Sequence, residues 1–488
     1  MTRSTVIFAI FFLAAPFAVS AASLICLMVF VVQLSVFLLR VSAKLAPAQE
    51  WTDQTNQFTP IFSIHLAIHN EPTELVINTI NALSLQEYPE AQWEVIVIDN
   101  NTADAALWHP VMNFCLLKGP QFKFLHRDGV KGAKAGALNI ALEHTRPDAT
   151  HVVTIDADYI ATPDFLAKAE RALIRTGADY VQFPQAYRRP CGTAEGTDVE
   201  LQEYFLSDAR IADEAEAVLL TGTLCIISTA ALREVGGWSG CTATEDAELG
   251  IRLCRAGFRG RYISSIVGKG LLPLSFRDLE KQRYRWSSGN LRTLILHGSN
   301  LLLYRGLLRG RQVVAITAQL SAWLNFTLVP TACLLAAAIT QTAAPTLITI
   351  AALSLLLSLA ETLTRLLSRK FCEGYDAPLI LSAMTSRIAL APVSARATVA
   401  AFIPGPQKFV VTRKAARAQR KPLSLPLDHL ALFIMALISL WELRHAPLLH
   451  LLGTAVLLLP LPAVLWVMNE LSRYRHSIQP NSSIEVNV

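Results

Sequence analysis

Two stretches of this chain, residues 4–39 and 312–360, contain no charged side chain. A single helical crossing of a bilayer takes roughly 20 apolar residues. Each stretch therefore has room for two spans, with turns expected at residues 16–22 and 341–345. The first stretch does not read as a cleaved leader. Ala18-Val19-Ser20 could pass for a cleavage site, but the apolar run continues to Leu39, beyond anything a mature soluble start needs. Gln319, Ser321 and Asn325 interrupt the third span. Polar groups at such depth are either functional or bonded between helices.

Composition supports the membrane reading. Charged residues make up 17% of the chain, against about 25% in soluble proteins. The net charge of +5 does not point to nucleic acid, because the basic residues gather at span ends. They are Arg40 and Lys44, then Arg305, Arg309 and Arg311, then Arg365, Arg369 and Lys370, and finally Arg473 and Arg475. This asymmetry places the central segment and both termini in the cytoplasm. The eight cysteines form no CxxC pair, so reduced thiols and no zinc site are expected.

Between the apolar stretches lies a polar segment, residues 44–299, that alternates short β-rich runs with helical ones. Strands are predicted at 61–68, 93–98, 151–155, 180–183 and 224–227, and helices at 74–85, 134–142, 163–175, 245–256 and 276–297. Thr162 before Pro163 has the form of an N-cap with proline in the first turn. Such alternation implies a doubly wound α/β sheet, which binds ligands beyond the carboxyl ends of its strands.

Chemistry concentrates at those ends. Asp156 and Asp158 follow an apolar strand, and side chains two apart on an extended chain share a face. Two hard carboxylates there can hold Mg²⁺ or Mn²⁺, although a solvated turn would look the same. Thr244-Glu245-Asp246 opens a helix. Capping explains the first two residues, and a general base aimed at an acceptor hydroxyl explains Asp246. Gln282, Arg285 and Trp286 share one helical face. Arginine there can neutralise a diphosphate and tryptophan can stack a sugar ring. Asp99 ends a strand and suits a ribose or uracil, and Lys134 near a helix start suits phosphate.

Taken together and in order, these clusters resemble the family 2 membrane glycosyltransferases, the cellulose, hyaluronan and bacterial β-glucan synthases. The matching residues are Asn70-Glu71, Asp99, Lys134-Ala135-Gly136, Asp156-Ala157-Asp158, Thr244-Glu245-Asp246 and Gln282 through Trp286. Phe409 through Lys414 is similar to the FxVTxK gating loop of cellulose synthases, and Val97 through Thr102 looks most like β-1,3-type glucan synthases. His69 departs from the tyrosine common in relatives, and Ala415 departs from glycine.

The resemblance implies an A-type glycosyltransferase domain with a Rossmann-like mixed sheet, inserted in a bundle of about six spans. The expected layout is two spans in 1–43, the catalytic domain in 44–299 and two spans in 300–363. Cytosolic interface helices and the gating loop follow in 364–424, then two spans in 425–469 and a tail in 470–488. The resemblance further implies an inverting transfer of glucose from UDP-glucose to a growing β-glucan that is exported through the same chain. In that scheme Glu71, Asp99, Lys134 and Asp156 hold the nucleotide, and Asp156 and Asp158 bind the metal. Asp246, with Glu245 and Thr244, activates the acceptor, while Gln282, Arg285 and Trp286 position it. Thr412 and Lys414 reach the diphosphate. The implied partners are a UDP-sugar, a glucan or lipid acceptor and membrane lipids, at a bacterial inner membrane. The alternatives are single glycosylation of a lipid, as in ceramide glucosyltransferases, another UDP-sugar donor, or an α/β domain that only binds a nucleotide.

Overall fold

The computed structural model describes residues 3–45, 59–303, 308–403 and 426–478. Within 59–303 the chain forms ten strands: β1 Phe62–Ile68, β2 Trp93–Asn100, β3 Phe122–Arg127, β4 His151–Asp156, β5 Ile160–Ala161, β6 Tyr180–Gln182, β7 Ala186–Arg188, β8 Cys225–Ser228, β9 Gly260–Tyr262 and β10 Gly268–Leu271. The main sheet has seven strands in the order β3-β2-β1-β4-β8-β6-β9, and a second sheet runs β5-β10-β7. Pairing is parallel from β3 to β4, and β8 is antiparallel to both neighbours. This mixed sheet is the A-type glycosyltransferase fold expected from the sequence.

The five predicted strands all form within a residue or two of their expected bounds. β1 differs in kind. Its sequence alternates apolar and small or polar residues, yet six of its seven residues are buried. The polar positions are satisfied internally: Ser63 Oγ donates to Glu94 Oε1 (2.8 Å), and His65 Nε2 pairs with Thr145 Oγ1 (2.9 Å). A central parallel strand is covered on both faces, so its polar side chains must find partners inside. The helix expected to start at Pro163 begins at Phe165 instead. Thr162 Oγ1 is spent on Asp164 Oδ1 (2.6 Å), and the Thr162 carbonyl closes a turn onto Phe165 N (3.1 Å).

Among the described residues four helical stretches are long and apolar enough to cross a membrane: Val19–Ser42, Pro345–Ser368, Ala377–Ala401 and Leu448–Ile478. The predicted turns lie between Ala14 and Val19 and between Ile339 and Pro345. The third predicted span is broken into Gly310–Ser321 and Leu328–Ile339, each of 12 residues. The polar residues at the break explain it. Gln319 takes Leu219 N (2.9 Å) and donates to the Ala217 carbonyl (2.8 Å), pinning the first piece to the catalytic domain. Asn325 N donates to Thr398 Oγ1 (3.0 Å) and Asn325 Nδ2 to Ser358 Oγ (3.3 Å). These residues bond elements together, which is the interhelical account of the two offered by the sequence.

Helix Ala377–Ala401 falls where interface helices were expected. It is long enough to span by composition, yet it lies along the catalytic domain. Arg387 Nη1 on it bonds Glu200 Oε1 (2.8 Å), and Ser386 Oγ sits 3.2 Å from Thr197 Oγ1. A second clasp joins Arg365, on helix Pro345–Glu373, to Glu203 and Asp208, each at 2.5 Å. All three side chains are buried. Breaking a buried pair strands a charge and typically costs ~3–5 kcal/mol. Arg365→Ala is therefore expected to lower the melting temperature of the detergent-solubilised protein sharply, while Arg309→Ala, at an exposed pair, leaves it near wild type.

Candidate active site

The carboxyl ends of β1, β2 and β4 fall in register, Ile68 opposite Asp99 and Ala67 opposite Asp156. Chain reversals there use asparagine. Asn70 and Asn101 follow the strands with φ of 56° and 59°, a left-handed conformation that asparagine tolerates better than most residues. Asn101 brackets Val130, donating to its carbonyl and accepting from its N–H, both at 3.0 Å. That bracket orients the start of helix Ala133–Glu143, which carries Lys134 in its first turn.

Over these strand ends opens a cavity of about 300 Å³, the lower end of the ~300–1,000 Å³ range of ligand pockets. Nine of the predicted residues line it: Glu71, Lys134, Asp156, Thr244, Glu245, Asp246, Gln282, Arg285 and Trp286. They come from five separate parts of the sequence, which only the fold unites.

Lys134 is the centre of charge. Its Nζ donates to Asp156 Oδ1 (2.5 Å) and to the Gly222 carbonyl (2.8 Å). Burial works against its charge, but Asp156, Glu245 and Asp246 outweigh burial and hold its proton more firmly than usual. Gly222 has φ +80°, and a Cβ there would stand 2.8 Å from Asp246 Oδ2. Only glycine lets the Asp246 carboxylate and the lysine approach this turn.

Asp246 opens helix Glu245–Arg255 and accepts from Ala247 N (2.8 Å). Burial and the neighbouring Glu245 push its carboxyl up to about 7. A base poised near neutrality accepts a proton most effectively at working pH. Thr244 occupies the cap position, but its side chain makes no cap bond. Its hydroxyl instead lies 3.4 Å from Thr293 Oγ1 on helix Phe276–Leu303. Gly289 of that helix permits the contact, since a Cβ there would meet Thr244 Cγ2 at 2.7 Å. The same helix presents Gln282, Arg285 and Trp286 to the cavity. Gln282 Oε1 is buried without a hydrogen-bond partner among the described residues, as a group awaiting a ligand donor would be.

Two predicted residues lie elsewhere. Asp158 does not line the cavity. The strand ends at Asp156, whose carbonyl accepts from Tyr159 N (3.1 Å), and this turn destroys the shared face expected for an extended chain. Asp158 is buried and its Oδ2 accepts from Leu271 N (3.0 Å). Asp99 is also buried beneath the cavity wall. Its oxygens hold Thr102 Oγ1 and His126 Nδ1, both at 2.6 Å. His126 in turn stacks on Trp108, with centroids 4.2 Å apart. Asp99 therefore buttresses the wall that His69 and Asn100 line. His69, the departure from tyrosine, is fixed by the Asn100 carbonyl at its Nδ1 (2.6 Å). Thr412 and Lys414 lie outside the described residues. Gln185 and Thr221 line the cavity but were not singled out from the sequence. Gln185 follows β6 as Asp156 ends β4, so strand-end position was the available signal.

Among the described residues no three His, Cys, Asp or Glu side chains form a ligand cluster. Asp156 nonetheless suits a hard divalent ion, which takes one or two carboxylates and completes its shell with substrate phosphates and water.

A mixed α/β sheet with carboxylates at its strand ends and an acid-rich helix start beside them defines a glycosyltransferase of the A type. Comparison with known families agrees. Residues 63–236 match "Glycosyl transferase family 2" and residues 151–362 match "Glycosyl transferase family group 2". The chain carries a glycosyltransferase family 2 domain within residues 63–362. It is similar to the UDP-forming cellulose synthase catalytic subunit of Xanthomonas axonopodis pv. citri (strain 306), 29% identical over 54% of this chain and 35% of the relative. It is also similar to the probable glucomannan 4-beta-mannosyltransferase 11 of Arabidopsis thaliana, 27% identical over 49% of this chain and 56% of the relative. The chain thus spans about half or less of these relatives. Its fold is shared by the Pyrobaculum calidifontis mannosyltransferase solved with GDP-mannose and Mn²⁺, with a TM-score of 0.52 and 17% identity over 78% of this chain and 98% of that one.

Two measurements probe the site. The rate of sugar transfer is expected to rise with pH through about 7 as Asp246 loses its proton. Asp246→Asn should abolish that limb and cost ~10²–10⁴-fold in rate, with nucleotide binding by calorimetry nearly unchanged. Gly222→Ala should lower turnover by about 10²-fold, the scale of a 1 Å misplacement of a catalytic group, with an unaltered melting temperature checking that the domain stays folded.

Proposed function

We propose that this chain is an inverting, metal-dependent polysaccharide synthase that adds hexose from a nucleotide-diphosphate sugar to a growing β-glycan and passes the product into its own membrane helices. The observation that carries this reading is the single cavity in which Asp246, Lys134, Asp156, Arg285 and Trp286 meet. A carboxylate with its proton affinity near neutrality, a cationic cradle and a sugar-sized aromatic face are the three parts that glycosyl transfer needs.

In this reading Asp246 takes the proton of the acceptor hydroxyl, which attacks the anomeric carbon on the face opposite the leaving diphosphate. Arg285 stabilises the charge that develops on the diphosphate, and Gln282 and Trp286 hold the acceptor ring. Lys134 keeps Asp156 oriented toward the donor, and Glu71 with His69 borders the nucleoside end. Thr412 and Lys414, outside the described residues, are assigned to the diphosphate by the resemblance alone. Asp156 would hold a Mg²⁺ or Mn²⁺ ion, which when bound offsets charge on the diphosphate.

UDP-glucose and a β-glucan product are the first choice, following the cellulose synthase relative. The glucomannan mannosyltransferases among the relatives favour a second reading, in which the donor carries mannose. Purified protein in lipid nanodiscs, given labelled UDP-glucose or GDP-mannose with Mg²⁺ or Mn²⁺, is expected to release nucleotide and form a long glycan from one donor only. Excess chelator should stop the reaction and readdition of metal restore it. A product consisting solely of singly glycosylated lipid would replace the polymerase reading with the lipid transferase, and full activity in chelator would remove the metal.

A further inference from the structure

Helix Pro460–Ile478 belongs to an apolar stretch long enough to cross a membrane, and its end lies against the catalytic domain. Tyr474, one turn from that end, is fully buried. Its hydroxyl accepts from Leu272 N (3.1 Å) and donates to the Arg188 carbonyl (3.0 Å). Those groups stand at the ends of β10 and β7, which pair in parallel up to Leu271 opposite Arg188. Past that pair the ladder stops, and the Tyr474 hydroxyl bridges the two strands in its place. Without it a buried N–H and a buried carbonyl would each lose a partner, which costs more than the bond itself is worth. The same strand ends hold Asp158. Leu271 N donates to Asp158 Oδ2 (3.0 Å), and Arg188 Nη2 donates to the Asp158 carbonyl (2.7 Å). Asp158 is thus gripped at side chain and backbone together. The chain after it joins the same small sheet, with Ile160 and Ala161 of β5 paired to β10. Immediately before it come Asp156 and Ala157, both in the wall of the catalytic cavity. β4 fixes Asp156 from one side of the turn, and the β7–β10 clamp fixes it from the other.

We infer that Tyr474 is a positioning residue for the donor side of the catalytic cavity. It closes the β7–β10 clamp on Asp158, and through that turn it sets where the Asp156 carboxylate stands. The inference rests on the proposed function in taking Asp156 as a donor-side group. Tyr474 itself does not line the cavity, so it acts through Asp158 and never on the nucleotide. This gives Asp158 a role although it too lies outside the cavity: it is the handle by which the small sheet holds the turn. Donor binding is thereby tied to the seating of a helix that arrives from the membrane side of the molecule.

Tyr474→Phe removes the hydroxyl and keeps the buried ring. Val464→Ala is the structural comparison. Val464 is equally buried on the same helix, but ten residues earlier, about 15 Å along its axis. Full-length protein in nanodiscs is titrated with UDP and with GDP in the presence of Mn²⁺ by calorimetry, and donor KM and kcat are read from nucleotide release. Tyr474→Phe is expected to weaken nucleotide binding and raise donor KM about five- to ten-fold, the scale of one buried hydrogen bond. Its kcat at saturating donor should stay within about two-fold, because no group at the reacting atoms has changed. Val464→Ala should lower the melting temperature at least as far as Tyr474→Phe does, with nucleotide affinity and KM near wild type. Arg188→Lys loosens the grip on the Asp158 carbonyl from the other side and should reproduce the loss. The double variant with Tyr474→Phe should then lose less than the two single losses combined. Affinity unchanged in Tyr474→Phe, an equal loss in Val464→Ala, or additive losses in the double variant each overturn the positioning role. A wild type that binds neither nucleotide overturns the proposed function instead, and does so before any variant is compared.

Discussion

The Lys134 ammonium holds the site together. It reaches from a helix start to the end of β4 through Asp156 and to the turn before β8 through the Gly222 carbonyl. Four segments far apart in the chain would otherwise leave three carboxylates, Asp156, Glu245 and Asp246, facing one another around a buried space. The lysine bonds Asp156 directly, while burial and Glu245 push the Asp246 carboxyl up to about 7.

The membrane half answers to a different constraint. Helices Pro345–Glu373 and Ala377–Ala401 are apolar overall, yet each carries an arginine that a lipid-facing position would reject. The carboxylates of helix Glu195–Tyr204 and of the irregular turn Phe205–Ala209 after it accept those arginines. Catalytic domain and membrane helices are thus joined by charge pairing in a buried layer, where the geometry of each pair is exacting. Removing either partner exposes the other to an environment it cannot tolerate.

Much of this was legible in the sequence. Charge-free stretches, strand–helix alternation and the clusters around Asp156, Asp246 and Trp286 were enough to give the fold and nine of the residues in the cavity. The misses have local causes. A backbone turn at Asp156 diverted Asp158, and periodicity cannot register a turn one residue after a strand. His126 and Thr102 captured Asp99, a rearrangement that depends on how β2 and β3 pair. Gln185 and Thr221 became neighbours only through the antiparallel return of β8, where Gln185 Nε2 donates to the Thr221 carbonyl (2.7 Å). Helix Ala377–Ala401 was expected at the interface, and its length would suit a span. Its partner Glu200, rather than its hydropathy, shows which surface it lies on.

Helices Glu245–Arg255 and Phe276–Leu303 are bolted to one another at both ends of their contact, through Thr244 and Thr293 and through Glu248 and His297 (3.1 Å). In the proposed mechanism the base and the acceptor platform therefore sit on one bonded helix pair. The nucleoside border, His69, Glu71, Asn100 and Asn101, belongs to strand-end loops that share none of these bolts. The architecture is modular in an evolutionary sense. Under the proposed function, substitutions in the strand-end loops would alter the donor side while leaving the bonded helix pair in place.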